Sequence, residues 1–190
     1  FPIIMHGCAE RMKVMTSKDG SAKKRIALVG FGNVGKEVLE ALESAPDMEP
    51  AGVVLRNPQK AEALRKRISI PVVGDVSELS DVDGAILAIA SRAVPQVAPL
   101  YLEKGIHTVD SFDIHGEAVM EMRKNLSEVG RKNGSVAVIC AGWDPGSDSV
   151  VRTLLEAIAP KGITYTNFGP GMSMGHTVAV KGLPGVRNAL

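Results

Sequence analysis

Two short stretches of this chain carry carboxylates where carboxylates can do chemistry. "HTVDSFDIHG" holds Asp110 and Asp113, and "CAGWDPG" holds Asp144. Each follows a short apolar run, so both sit just past the end of an expected strand, at the edge where open α/β sheets bind their ligands. Acids on neighbouring loops can converge on one small cation, such as the ammonium of an amino acid, through charge-assisted hydrogen bonds. The alternative is that each acid caps the helix that follows it. Trp143 is the only tryptophan in the chain and stands beside Asp144. It offers an apolar wall with one N–H donor, while Gly142 relaxes the backbone and Pro145 fixes the turn. Such a wall keeps water out and strengthens the field on a reacting group.

A second constellation is "GFGNVG", with Gly30, Gly32 and Gly35 separated by Phe31, Asn33 and Val34. It follows an apolar run and opens a stretch of helical period. In that setting the first glycine makes a tight turn, the second lets the backbone approach a pyrophosphate, and the third lets helix and strand pack closely. Dinucleotide binding is the expectation. An acid about 20 residues further on would select NAD, and an arginine NADP. Here the second run ends in "LRNPQK". Arg56, with Asn57 and Lys60 near it, favours NADP; the competing reading is a solvated basic turn. "AIASRAVP" puts Ala90 and Ser91 at the same edge, as further candidates for cofactor contact.

These residues need a scaffold of a particular kind. The apolar runs are 25–30, 51–56, a weaker 68–73, 84–90, 106–110 and 136–141, alternating with longer stretches of helical period. That rhythm predicts α/β: a doubly wound parallel sheet of Rossmann type. Val34, Val38, Leu39 and Leu42 form one helical stripe. The helical stretches beginning at Val94 and Gly116 each close on a glycine, a common helix stop. After Ala141 a loop, a helix near 147–159 and a strand at 162–168 read as the start of a second, α+β substrate or dimerisation domain. The expected division is therefore 25–142 for the dinucleotide-binding domain and 143–190 for part of the second. Residues 1–24 read as a disordered leader or upstream sequence, with Met15 a plausible start.

Composition narrows the functions. Twenty-two basic residues against 21 acidic ones give a net charge of +1, without the clustered positive patch of a nucleic-acid binder. No apolar run reaches the roughly 18 residues of a membrane span. The expectation is a soluble protein of the reducing cytoplasm, since Cys8 and Cys140 form no disulfide framework. No metal site is expected, because the histidines lack ligand spacing; His107 reads as structural and His115 as a helix cap. Cys140 invites one rival reading, the thiol nucleophile of an NADP-linked semialdehyde dehydrogenase, against simple packing at a strand end.

Taken together, "ALVGFGNVGKEVLEALESAPDME", "HTVDSFDIHG", "AGWDPG" and "FGPGMSMGH" resemble the meso-diaminopimelate dehydrogenase family, from about Arg25 to the last residue. The resemblance implies reversible, NADP-dependent oxidative deamination at the D-centre of meso-2,6-diaminopimelate, giving L-2-amino-6-oxopimelate and ammonia. It places the amine-holding acids on Asp113 and Asp144, with Trp143 beside them. It also places an aromatic wall on Phe168, and Met172, Ser173, Met174 and Gly175 flanking the D-centre carboxylate. Many members carry Gln where Met174 stands and Asp where Val178 stands, so the chain is similar to a branch with wider tolerance of D-amino acids. The resemblance further implies a homodimer and a chain continuing past Leu190. A C-terminally truncated sequence is therefore expected, and a non-catalytic nucleotide-binding fragment remains the third reading.

Overall fold

The computed structural model describes residues 23–114, 116–143, 146–163, 180–181 and 183–188. Six strands form one parallel sheet: β1 (Lys24–Val29), β2 (Met48–Val54), β3 (Val72–Val73), β4 (Gly84–Leu87), β5 (His107–Asp110) and β6 (Ala137–Val138). Their spatial order is β3-β2-β1-β4-β5-β6. That is the doubly wound order, which reverses direction between β1 and β4 and opens a crevice there at the carboxyl ends of the strands.

Helices cover both faces. On one, α1 (Asn33–Ser44) and α2 (Pro58–Arg65) bring Leu39, Ala61 and Leu64 against Leu28 and Val53. On the other, α3 (Val94–Leu102) and α4 (Glu117–Asn133) bring Val97, Leu102, Met122 and Leu126 against Ala27, Val29, Val54 and Leu87. Successive residues of β1 thus enter opposite cores, as the two-residue period of a strand requires when both faces are covered.

Several elements differ from the sequence expectation, each for a local reason. The 68–73 run pairs only at Val72–Val73, because Pro71 has no N–H to give the ladder, although its carbonyl accepts from Val53 N–H at 2.8 Å. The fourth run stops at Leu87 where Ala88 N–H turns back to Ile86 O. The sixth stops at Val138, two residues before Cys140 takes a left-handed φ of +58°. Val34 leaves the expected stripe and is 59% exposed; Gly35 is the buried residue in that turn. α2 was not expected, yet Asn57 caps it with Oδ1 accepting from Lys60 N–H and Pro58 opens it, an Asn-Pro start signal that the periodicity of so short a helix does not reinforce.

After β6 the chain forms α5 (Ser147–Ile158). Val150, Val151, Leu154, Leu155 and Ile158 on it are exposed. The expected strand at 162–168 falls almost wholly outside the described residues, as do residues 1–22. No described helix is long and apolar enough to cross a membrane.

Candidate functional site

The glycine turn is built as a phosphate cradle is built. Gly30 ends β1 with φ +93°, and a Cβ on it would collide with the Ala88 carbonyl. A Cβ on Gly35 would lie 2.7 Å from the Gly30 carbonyl, so α1 can sit this close to the turn only without one. Gly32 is the opposite case: a Cβ there would meet nothing within 4 Å, and no side chain caps the helix end behind it. The first-turn N–H groups therefore face open space with the positive end of the helix dipole, which suits a pyrophosphate. Phe31 packs partly into the α1–α2 core, while Asn33 and Val34 are exposed around the opening.

Flanking segments are placed accordingly. Arg56 and Asn57 are exposed just past β2, and the capping bond to Lys60 occupies Asn57 Oδ1, leaving its amide N–H groups as donors. The nearest acid beyond the neighbouring strand, Asp75, accepts from Ser77 N–H at 2.9 Å and Ser77 Oγ at 2.6 Å. Those bonds hold its carboxyl below the ordinary range. Tyr101, in the core beneath, is pushed up to about 12 by burial and then by the charge of Asp75, with Arg56 acting in the opposite sense. Ala90 is exposed and Ser91 half-buried in the turn after β4, two and three residues beyond the Ala88 that touches the glycine turn.

The acid-bearing loops lie on the same edge. β5 is two strands from β1, which at the usual spacing puts its end about 10 Å from the glycine turn. Phe112, 2% exposed, anchors the loop after β5, and the next residue, Asp113, is exposed. Ala141 N–H donates to Asp110 O at 2.7 Å, so the loop after β6 is joined to the end of β5. Gly142 and Trp143 are joined to the start of α5: Ser147 N–H donates to Gly142 O at 3.1 Å and Asp148 N–H to Trp143 O at 2.8 Å. Gly146 takes φ +145° with its α-carbon against the Gly142 carbonyl, where no side chain fits. Trp143 is 56% exposed.

Asp110 departs from the sequence expectation. It is 2% exposed and its Oδ1 accepts from Phe112 N–H at 2.9 Å and Cys140 N–H at 3.3 Å. Burial raises its carboxyl above the ordinary 3.8, against the pull of those two bonds. An acid whose folded value is raised loses stability as pH climbs from its unfolded value through the folded one. Urea melts should therefore show the stability of Asp110→Asn gaining on that of the wild type as pH rises above about 4.

Cys140 does not look like a nucleophile. Burial, then the charges of Asp110 and Asp113, push its thiol up, whereas a reactive cysteine needs the reverse. The same interaction shows that Asp113 lies within electrostatic reach of the loop leading to Trp143. His107 is structural: its Nδ1 accepts from Val136 N–H at 3.0 Å. Asp144, Pro145, His115, Phe168, Met172, Ser173, Met174, Gly175 and Val178 lie outside the described residues.

Comparison with known proteins agrees with this arrangement. Residues 24–110 match the oxidoreductase family with an NAD-binding Rossmann fold, and residues 142–190 match the diaminopimelic acid dehydrogenase C-terminal domain. A meso-diaminopimelate D-dehydrogenase of Bacteroides fragilis is 57% identical over 171 residues, covering 88% of this chain and 56% of the relative. The structure of the C. glutamicum diaminopimelate dehydrogenase in complex with diaminopimelate superposes with a TM-score of 0.72 at 31% identity, over 88% of this chain and 51% of that one. An engineered D-amino acid dehydrogenase bound to NADP+ gives 0.70 at 31% identity, over 88% and 51%. The chain spans about half the length of the curated relatives it matches. With an NAD(P)-binding Rossmann domain matched over one part and the family's C-terminal domain over the other, the chain belongs to the meso-diaminopimelate dehydrogenase family.

Proposed function

We propose that the protein to which this chain belongs oxidatively deaminates the D-centre of meso-2,6-diaminopimelate with NADP and one water, which hydrolyses the imine, giving L-2-amino-6-oxopimelate, ammonia, NADPH and a proton. The observation that carries this reading is the junction of the two acid-bearing loops, by Ala141 N–H to Asp110 O, on the edge that also holds the glycine turn. The bound nicotinamide supplies a hydride acceptor. Asp113 and Asp144 grip the substrate ammonium between them, fixing the α-hydrogen toward the ring, and one of the pair takes the proton that the ammonium must lose. Holding both reactants this way is worth about 7 to 11 kcal/mol of barrier. Trp143 and the aromatic Phe168 line the substrate site, and Met172, Ser173, Met174 and Gly175 flank the D-centre carboxylate. Met174 and Val178 widen tolerance toward other D-amino acids.

Residues 25–142 would bind the dinucleotide and 143–190 would belong to the substrate and dimerisation domain. The exposed apolar side chains of α5 are consistent with a homodimer. A precursor of lysine and cell wall as substrate is consistent with the cytoplasm. Purified protein given NADP with meso-diaminopimelate, then with D-alanine or D-lysine, should form NADPH. Tight NADPH binding without turnover would instead favour a nucleotide-binding fragment.

Cofactor choice rests on Arg56. Its replacement by alanine should weaken NADPH binding about 10- to 100-fold, the worth of a charged hydrogen-bonding pair, and leave NADH binding unchanged. Fluorescence titration with the two nucleotides checks this.

A further inference from the structure

Two carboxylates among the described residues are buried, Asp110 and Asp148. Asp148 pairs with Arg152 at 2.9 Å. Among the described residues Asp110 has no such cation, and its buried Oδ2 has no hydrogen-bond partner there. Burying an acid in this way is costly, so what its other oxygen holds must need an acceptor there.

What Oδ1 holds is a pair of N–H groups from different loops. Phe112 N–H comes from the loop that carries Asp113, at 2.9 Å, and Cys140 N–H from the loop that carries Trp143 and Asp144, at 3.3 Å. Because both reach one atom, the loops cannot part without breaking a bond. Cys140 adds a second constraint. Its φ of +58° is a conformation that costs a residue with a Cβ, and the amides on either side of its α-carbon are held by one residue: its own N–H by Asp110 Oδ1 and Ala141 N–H by the Asp110 carbonyl. Asp113 stands three positions after Asp110, and Trp143 three positions after Cys140.

We propose that Asp110 is a positioning residue: its carboxylate oxygen clamps Cys140 in the left-handed bend and so sets the separation between Asp113 on one loop and Trp143 on the other. The catalytic meaning of that separation rests on the function proposed above, but the clamp itself does not.

The test uses two near-isosteric substitutions. Asp110→Asn keeps an acceptor oxygen and loses the charge. Asp110→Leu keeps the bulk, suits the buried site and loses the acceptor. Amide exchange at Cys140 and the emission anisotropy of Trp143, the sole tryptophan, report the clamp without any turnover. In Asp110→Leu, Cys140 N–H should exchange about tenfold faster than in the wild type, the loss of one net hydrogen bond, while the helical core stays protected. Trp143 anisotropy should fall with it. Asp110→Asn should match the wild type in both. Where the wild type turns over, kcat should fall in Asp110→Leu with KM for NADP unchanged, and Asp110→Asn should restore it. The proposal is overturned if Asp110→Leu leaves Cys140 exchange and Trp143 anisotropy unchanged, or if Asp110→Asn behaves like Asp110→Leu. A wild type that forms no NADPH but shows the predicted exchange pattern refutes the deamination reading alone.

Discussion

Asp113→Asn should lower turnover about 100- to 10,000-fold, the usual worth of a positioned acid–base group, while NADPH affinity and thermal stability stay near those of the wild type. The separation of effects follows from the structure. Asp113 is exposed and Phe112, not Asp113, anchors its loop in the core, so the substitution leaves packing untouched. The glycine turn is two strands away and keeps its phosphate-facing N–H groups. Steady-state kinetics beside a nucleotide titration and a thermal melt checks all three. A loss of turnover matched by a loss of stability would assign Asp113 to the scaffold instead.

Gly30→Val should be the most damaging single change to the nucleotide site. Two costs combine: a β-branched residue forced to φ +93°, at about 1 to 2 kcal/mol, and overpacking against the Ala88 carbonyl, at about 1 to 3 kcal/mol. The turn cannot relax easily, since Gly30 N–H is bonded to Val54 O at 3.1 Å and Gly35 is packed on the Gly30 carbonyl. Urea unfolding should report a loss of about 2 to 5 kcal/mol, and NADPH binding should vanish even where the variant remains folded. Gly32→Ala is the control. Its Cβ enters open space, so stability should hold while the cofactor is crowded.

The scaffold was legible because its signals repeat. Six apolar runs separated by helical period leave few arrangements besides a doubly wound sheet, and the glycine turn fixes which strand comes first. Strand ends were less legible. The stops at Leu87 and Val138 depend on a backbone turn at Ala88 and on a left-handed cysteine, neither of which a residue type announces. α2 escaped notice because eight residues give too little periodicity, although Asn57 and Pro58 mark its start. Asp110 is the instructive case in the site. Its type and position at a strand end read as a ligand acid, as Asp113 does three residues later. Only the fold separates them, by burying one against two backbone N–H groups and leaving the other exposed.

The position of the bound nicotinamide tests the deaminating site most directly. A crystal structure of the chain with NADPH should place the ring over the carboxyl ends of β4 and β5, with the Asp113 and Asp144 carboxylates facing the same side of it and close enough together to share one amino group. A ring lodged elsewhere, or the two carboxylates turned toward separate regions of solvent, would contradict the deaminating site.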